Sequence, residues 1–234
     1  MATSRAIQKS VFLRRPLASR VQAGRRDAVC AGAAAQPGSG LKRCLDLAVA
    51  CLAGLLCLPL MLMIAFIVRR DSAGPALYSA LRAGKNGKNF PCHKFRTMFA
   101  GADAQREGLR SINEREGPCF KIDADPRVTR IGHWLRRYSL DELPQFWNVL
   151  RGDMSMVGPR PHPLDDFARY SAMDKRRLDV LPGITGLWQV EARQCRSFQE
   201  GLALDLQYIE TRNFRLDLDI LVRTVRVVLQ GSGV

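Results

Sequence analysis

The most apolar part of the chain is the segment of residues 44–68, CLDLAVACLAGLLCLPLMLMIAFIV. Between Asp46 and Arg69 it carries no charged residue. As a straight helix with a rise of about 1.5 Å per residue, this run would span about 33 Å, enough to cross a bilayer. A spanning helix, a cleavable signal and a re-entrant hairpin all have this composition. A signal is disfavoured because the run begins far from the N-terminus and ends in two arginines rather than in small residues.

Two features of this run favour a re-entrant helix over a spanning one. Lys42 and Arg43 precede the run and two arginines follow it, and cationic flanks prefer the cytoplasmic side of a membrane. Pro59 lies inside the run, where its ring and its missing N–H break or kink a helix. We therefore expect residues 41–70 to form two half-helices that enter one leaflet and return, with a kinked spanning helix as the alternative.

Beyond the apolar run, the pattern predicts an α+β, mostly helical domain over residues 71–234. Strand-like residues on both sides of Gly-Lys-Asn-Gly (84–87) predict a β-hairpin. Helical periodicity on both sides of Pro144 favours a helix start close to it, and a short extended run is expected after Pro182-Gly183. The last apolar repeat, LDLDILVRTVRVVLQ, fits an amphipathic helix on a bilayer and a core-packing helix equally well.

Residues 1–40 differ from the rest of the chain in composition. They are rich in Arg, Ala, Ser and Gly, and Asp27 is their one acidic residue. This composition indicates a basic flexible tail that contacts anionic lipid, and it also fits an organellar transit peptide.

The net charge of the whole chain points to an anionic partner. The 234 residues include 36 Lys and Arg against 22 Asp and Glu, a formal net charge of +14. An excess of this size predicts binding to nucleic acid, to a phosphorylated substrate or to an anionic bilayer. The seven cysteines show neither CxxC pairs nor metal-ligand spacing, so we expect no zinc and no disulfides.

Candidate chemistry concentrates in LRRYSLDELPQ, residues 135–145, where Asp141 and Glu142 follow two arginines. A phosphoryl donor needs cations and Mg²⁺ to neutralise its oxygens and a nucleophile in line with the phosphorus. A carboxylate can be that nucleophile by forming an aspartyl phosphate, and its neighbour can hold Mg²⁺ together with substrate phosphates. Taken alone the pattern is weak, because acids beside arginines also occur at helix N-termini and in surface ion pairs.

Five motifs in order change that interpretation: KRCLDLAVA with its Pro-containing apolar run, HKFRTM, DPRVTRIGHWLRRYSLDELPQFWNVLRGDMSMVGPRP, LPGITGLWQV and LDLDILVRTVRVVL. Together they resemble the bacterial sugar transferase family, the monotopic polyprenyl-phosphate phosphoglycosyl transferases of exopolysaccharide, capsule and glycoconjugate assembly. The resemblance runs from about Leu41 to the C-terminus and leaves only the tail outside it.

The resemblance implies an enzyme that transfers a phosphosugar from a UDP-sugar to polyprenyl (undecaprenyl) phosphate, the first membrane step of exopolysaccharide or related glycan synthesis. Asp141 is expected to attack the β-phosphorus, releasing UMP and leaving a covalent phosphosugar that polyprenyl phosphate then takes up. Glu142 is expected to complete the catalytic pair and to hold Mg²⁺, the implied cofactor. The cations expected on the substrates are Arg136, Arg160, Arg193, Lys94 and Arg96.

The resemblance also implies an architecture and a location. The expected fold is a compact catalytic domain with interfacial amphipathic helices and a re-entrant helix bent at Pro59. The catalytic domain is expected on the cytoplasmic face of the bacterial inner membrane. The expected partners are the UDP-sugar, polyprenyl phosphate and the membrane, with no nucleic acid. The sugar, the glycan and the oligomeric state, a homo-oligomer included, stay open.

Some positions depart from the family pattern. Leu58 stands where a serine often precedes the proline, which removes a hydroxyl that could satisfy a freed carbonyl. Glu191 and Ala192 replace the polar residue and the glycine that usually follow LWQV, a change that bears on sugar selection, while Arg193 is retained. His162 after GPRP has no assigned role and is interpreted as a loop residue.

Two rival hypotheses remain at this level. A basic peripheral membrane-binding protein without catalysis would depend on net charge alone, so its binding would fade with salt and would not depend on the Asp-Glu pair. A transferase with a spanning helix and a noncovalent mechanism would form no adduct. The apolar run argues against a soluble nucleic-acid binder.

Overall fold

Helix α1 (Ser39–Asp71) is the first element of the computed structural model, which describes residues 39–195 and 197–231. Of the helices described there, α1 is the one long and apolar enough to cross a membrane. The flexible tail predicted for residues 1–40 lies, up to residue 38, outside the described residues.

One stripe of α1 packs against the rest of the domain along its length. Asp46 and Ala50 are buried in its first half, and Ile64 and Val68 in its second half. Spacings of four residues keep each pair on one face of the helix. Ala50 joins the main core, and Ile64 and Val68 join a second cluster. The opposite face leaves large apolar side chains exposed: Leu52, Leu55, Leu56, Leu62, Met63 and Phe66.

A buried polar cluster fixes the first turns of α1 to the domain. Lys42 Nζ lies 3.1 Å from Asp46 Oδ1 and 3.0 Å from Asp217 Oδ2. The same Asp46 oxygen accepts hydrogen bonds from Ser155 Oγ and from the Met156 backbone N–H, both at 3.0 Å. Because each buried carboxylate has partners, the helix start is held in one position.

The prediction of two half-helices was wrong. Helix α1 is one continuous helix of 33 residues with Pro59 inside it. A proline removes a single N–H···O bond and crowds one preceding carbonyl. Packing on both sides of Pro59 supports the helix through this position, since tertiary contacts supply most helical stability in proteins.

The predicted hairpin is confirmed. Strand β1 (Leu77–Ala83) pairs antiparallel with β2 (Asn89–Phe95). In the turn between them Asn86 and Gly87 have φ angles of 56° and 75°, the left-handed conformation that Asn tolerates and Gly adopts freely.

Short helices and a second small sheet complete the domain. Strand β3 (Ser155–Val157) pairs in parallel with β4 (Gly183–Thr185). The mostly helical α+β class is confirmed, and a helix begins directly after Pro144 as predicted. The short extended run expected after Pro182-Gly183 is β4, and a helix follows it. The remaining helices, in chain order, are α2 (Arg130–Arg137), α3 (Gln145–Arg151), α4 (Leu164–Phe167), α5 (Leu187–Glu191), α6 (Phe198–Thr211) and α7 (Phe214–Leu229).

Helix α7 has an inner face that packs in the core and an outer face that does not. Asp217 and Ile220 are buried on the inner face, and Ile220 belongs to the main core cluster. On the outer face an apolar stripe is about half exposed or more: Phe214, Leu218, Val222, Val225 and Leu229. The C-terminal repeat is therefore a core-packing helix that also presents an apolar surface.

Candidate active site

A tight turn between α2 and α3 presents the two predicted catalytic carboxylates. Ser139 takes the left-handed conformation at φ 55°, and Leu140–Glu142 follow as a 3₁₀ turn. A non-glycine residue costs about 1 kcal/mol or more in this conformation, and Arg193 Nη2 donates to Ser139 Oγ at 2.8 Å, which supports it. As a result Asp141 and Glu142 are only 6% and 7% exposed and line the same cavity.

Glu142 is neutralised by two cations. Arg160 donates from Nη1 to Oε2 at 3.1 Å and from Nη2 to Oε1 at 2.5 Å, a bidentate pair. Lys94 Nζ lies 2.9 Å from Oε1. Burial raises the pKa of Glu142, but Arg160 and then Lys94 outweigh it and hold that pKa well below its usual range. Glu142 is therefore ionised at neutral pH.

Asp141 has the opposite environment. Among the described residues its ion-pair partner is Lys94 alone, with Nζ 3.6 Å from Oδ2. Burial raises the pKa of Asp141; the nearby Lys94 lowers it less, and the pKa lies above its usual value. This carboxylate therefore has lone pairs free for an electrophile that enters the cavity.

The cavity has a volume of about 500 Å³, the size of a small-molecule site. The sequence-predicted site residues that line it besides the two carboxylates are Lys94, Arg96, Arg136, Arg160 and Arg193. Arg136 donates from Nε to Thr97 Oγ1 at 2.9 Å, which orients its guanidinium group. Burial lowers the pKa of Arg136 and of Arg193, yet arginine stays cationic in proteins and suits bidentate phosphate binding.

Arg96 reaches the cavity wall but directs its guanidinium group to the end of α1. Nη2 donates to the carbonyls of Val68 and Ser72, at 3.3 and 2.7 Å, and Nη1 donates to the carbonyl of Ala73. The last carbonyls of a helix lack intrahelical partners, so Arg96 caps α1 and ties it to β2. Its expected contact with substrate stays a prediction.

The residues that hold Arg160 in place are not marked by any motif in the sequence. Arg177 Nη2 donates to the Arg160 carbonyl at 3.1 Å and to the Asp205 carboxylate, and both of these paired side chains are 3% exposed. Arg177 Nη1 also contacts Tyr170 Oη and the ring of His162, each at 2.7 Å. His162 does lie in a loop, as interpreted, and burial followed by Arg177 lowers its pKa well below the usual value. No local pattern marks this network, because distant segments supply it.

The carboxylate pair fits a magnesium ion shared with substrate phosphates. Proteins hold Mg²⁺ through one or two carboxylates, completed by phosphate oxygens and water. Glu142 Oε2 accepts one hydrogen bond, from Arg160, which leaves it a lone pair, and Asp141 lies beside it. Within residues 39–195 and 197–231 no three His, Cys, Asp or Glu side chains converge, so the other ligands would come from substrate and water.

Buried carboxylates ringed by arginines and a lysine suit phosphate chemistry, and the same domain carries a long apolar helix. Residues 38–231 match the family model described as bacterial sugar transferase. The chain therefore belongs to the bacterial sugar transferase family, as its motifs indicate.

Named relatives are similar over most of this chain. The galactosyl transferase CpsE of Streptococcus agalactiae is 43% identical over 82% of this chain and 43% of its own length. The undecaprenyl-phosphate galactose phosphotransferase of Salmonella typhimurium is 39% identical over 82% of this chain and 41% of its own length. The chain thus spans less than half the length of these two relatives. The exopolysaccharide production protein ExoY of Rhizobium meliloti is 39% identical, over 86% of this chain and 91% of its own length.

Proposed function

We propose that this chain transfers a sugar 1-phosphate from a UDP-sugar to undecaprenyl phosphate through a covalent phosphosugar on Asp141. The proposal is carried by the contrast between two neighbouring acids, one with free oxygens and one neutralised by Arg160 and Lys94, at the wall of a basic cavity. Membership of the sugar transferase family supports the reaction class. A relative named for undecaprenyl-phosphate galactose transfer supports the acceptor.

In the first step Asp141 attacks the β-phosphorus of the UDP-sugar. A bond from the carboxylate oxygen to phosphorus forms, the bond to the bridging oxygen breaks, and UMP leaves with that electron pair. Lys94, Arg136 and Arg193 neutralise the charge on the phosphoryl oxygens. Because these groups are already held by neighbouring side chains, little reorganisation is needed when charge develops.

In the second step the phosphate of undecaprenyl phosphate attacks the phosphorus of the adduct. The product is a polyprenyl diphosphate-sugar, and Asp141 is released as a carboxylate. Glu142 stays ionised throughout, because Arg160 and Lys94 hold its pKa low. A bound Mg²⁺, held by Glu142 beside Asp141, would supply further charge neutralisation on the substrate phosphates.

The contacts of α1 support a position in one leaflet of the membrane. Both halves of the helix pack against the same domain, around Ala50 in one half and Ile64 in the other. The two ends therefore stay beside that domain instead of reaching opposite sides of a bilayer. The exposed leucines of α1 and the outer stripe of α7 would enter lipid, with the catalytic domain on the cytoplasmic face of the inner membrane, where the cationic flanks prefer to lie.

UMP release tests this proposal. The full-length protein in detergent, with undecaprenyl phosphate, Mg²⁺ and a panel of UDP-sugars, is expected to release UMP from at least one donor. Asp141→Asn is expected to abolish the release. Asp219→Asn, which removes a mostly exposed carboxylate on α7, is expected to retain it. A peripheral membrane protein without catalysis predicts no UMP from any donor, and release by Asp141→Asn at the parental rate would overturn the nucleophile assignment.

A further inference from the structure

Four arginine side chains surround His162 beside the catalytic pair. Arg177, Arg160, Arg82 and Arg115 all act, after burial itself, to lower the pKa of this imidazole. Two of the four are paired with buried carboxylates, as described above: Arg160 and Arg177. The other two, Arg82 and Arg115, line the main cavity, and the family motifs predict no role for either of them.

Arg82 and Arg115 have no carboxylate partner among the described residues. The Arg115 guanidinium lies 5.2 Å from the centre of the Trp188 ring, and its Nη2 is 3.5 Å from the Cys195 carbonyl. Within the same part of the chain the Arg82 side chain makes no hydrogen bond or ion pair, and burial lowers its pKa by more than the carboxylate of Asp166 raises it. Burial is the largest influence on both groups and lowers the pKa of each. Both residues are only partly exposed, and a cation partly removed from water without an ion-pair partner is costly, so these two groups favour an anion in the cavity.

The hairpin places Arg82 at the end of the cavity away from α1. Tyr78, Arg82 and Lys94 share the hairpin face that lines the cavity, and Lys94 sits opposite Tyr78. Arg82 is four residues farther along β1, about 14 Å at about 3.4 Å per residue. The start of β1 follows Ala76, which packs in one cluster with Val68 of α1. The cavity therefore runs from the lipid-facing helix, past the catalytic pair, to Arg82.

The far end of β1 is also joined to the loop that carries Arg160. The Ala83 N–H donates to the His162 carbonyl at 3.3 Å, and Arg82 forms an isolated bridge with Pro163. Arg160 itself reaches back to Glu142. Arg160 thus connects the catalytic pair to the end of the hairpin that carries Arg82, and Arg115 lines the same cavity.

We infer that Arg82 and Arg115, next to Arg160, bind the phosphate of the departing nucleoside monophosphate. The inference rests on the proposed function and assigns a subsite within it. In an in-line displacement the leaving group lies on the side of the phosphorus opposite the nucleophile. The contacts of the hairpin end place Arg82 beyond Arg160 from the catalytic pair, and Arg115 lines the same cavity. The lipid acceptor is anchored at the α1 end, so the remote end suits the water-soluble product.

Calorimetric titration of the full-length protein with UMP, in detergent and Mg²⁺, measures this subsite. Arg82→Met and Arg115→Met are each expected to weaken UMP binding about tenfold or more, the effect of losing a charge-assisted hydrogen bond. Arg82→Lys keeps the charge without the planar fork and is expected to fall between Arg82→Met and the parent. Lys88→Met removes an exposed cation from the same hairpin and is expected to leave the affinity unchanged. Parental UMP affinity in both methionine variants overturns the inference.

Thermal unfolding separates binding from a structural role. Because neither arginine has a carboxylate partner among the described residues, the methionine variants are expected to unfold at the parental temperature or above it when no nucleotide is present. Added UMP is expected to raise their Tm less than it raises that of the parent. A lower Tm with parental UMP affinity assigns these residues a structural role and contradicts the inference.

Single-turnover measurements distinguish a nucleotide phosphate from a lipid phosphate. The methionine variants are expected to slow exchange of labelled UMP into the UDP-sugar by a larger factor than transfer from a preformed adduct to undecaprenyl phosphate, whose phosphate enters on the side that UMP left. Normal exchange with slow transfer assigns the arginines to the lipid phosphate and overturns the inference. A failure of the proposed function would give a different result, because the parent protein would then release no UMP from any donor. The UMP titration would still measure whether the two arginines bind the nucleotide.

Discussion

Arg160 donates to both carboxylate oxygens of Glu142, at 3.1 and 2.5 Å, and among the described residues it makes no such bond to the adjacent Asp141. One acid therefore has its pKa lowered and the other has its pKa raised, although they are neighbours in sequence and equally buried. Pairs of acids with divergent pKa values are typical of sites that divide roles between them. Here Glu142, with two cationic partners, organises the cations, and Asp141, with Lys94 alone, remains available for reaction.

The raised pKa of Asp141 predicts that its charge destabilises the fold. Asp141 ionises at a lower pH in the unfolded chain than in the folded one. The free energy of unfolding therefore falls as the pH rises from the unfolded pKa to the folded pKa, and it stays lower at higher pH. Asp141→Asn is therefore expected to raise the free energy of unfolding at pH 7 by about 1 kcal/mol. Denaturant unfolding followed by circular dichroism checks this, with Asp219→Asn as the control. A loss of stability would contradict the assigned environment.

The pH dependence of the first step should show the same shift. Attack requires ionised Asp141, so the rate of UMP release is expected to fall as the pH decreases. Because the pKa of Asp141 is raised, this fall is expected at a higher pH than the pKa of an ordinary aspartate. Glu142 stays ionised over this range because its pKa is lowered, so one proton is expected to account for the decline. The measurement is kcat/KM for the donor between about pH 4 and pH 8. A decline of kcat/KM that depends on two protons would contradict the assignment of Asp141 as the one titrating group. A kcat/KM that is maintained down to the pKa of an ordinary aspartate would also contradict it.

The Glu142–Arg160 pair predicts a non-additive loss of stability. Glu142→Gln or Arg160→Met alone leaves a buried charge without its partner, at a cost of about 3–5 kcal/mol. The double variant is expected to lose less stability than the two single variants lose together. The deficit of Glu142→Gln should also shrink at acid pH, because a group with a lowered folded pKa stabilises the fold above its unfolded pKa and loses that contribution as pH falls. Additive losses at constant pH would mean that the pair does not act as a unit.

The packing of α1 predicts that both of its ends lie on one side of the membrane. Cysteines placed at Gly40 and at Asp71, with the native cysteines replaced by alanine, are expected to react with a membrane-impermeant maleimide in inverted vesicles and not in intact cells. A cysteine at Asp219 marks the side of the catalytic domain. Labelling of the two helix ends from opposite sides would establish a spanning helix instead.

Local sequence signals predicted the elements around the site better than the site itself. Asn86 and Gly87 mark the hairpin because few residue types accept a positive φ, and Pro144 marks a helix start because its fixed φ suits a first turn. Pro59 misled the same reasoning: its local cost is real, but contacts made far away in sequence support the helix across it. Propensity rules do not contain those contacts.

Family motifs predicted the two carboxylates and their cations as site residues, whereas they did not predict the residues behind them. Arg177 and Asp205 are 28 residues apart, and neither has a spacing that indicates contact with Arg160. Arg82 and Arg115 look like ordinary surface cations in the sequence. Their position in the cavity wall, without an ion pair to a carboxylate among the described residues, becomes visible only when the hairpin, the loop after β3 and α5 are brought together.

The most direct test of the central claim is the intact mass of the protein after reaction with a UDP-sugar in the absence of lipid acceptor. An acid-quenched species heavier by one phosphosugar is expected, with the modification on the peptide that contains Asp141 and absent from Asp141→Asn. Addition of undecaprenyl phosphate before the quench is expected to remove it. A protein that transfers the sugar phosphate but never carries this mass, or carries it on another residue, would contradict the account.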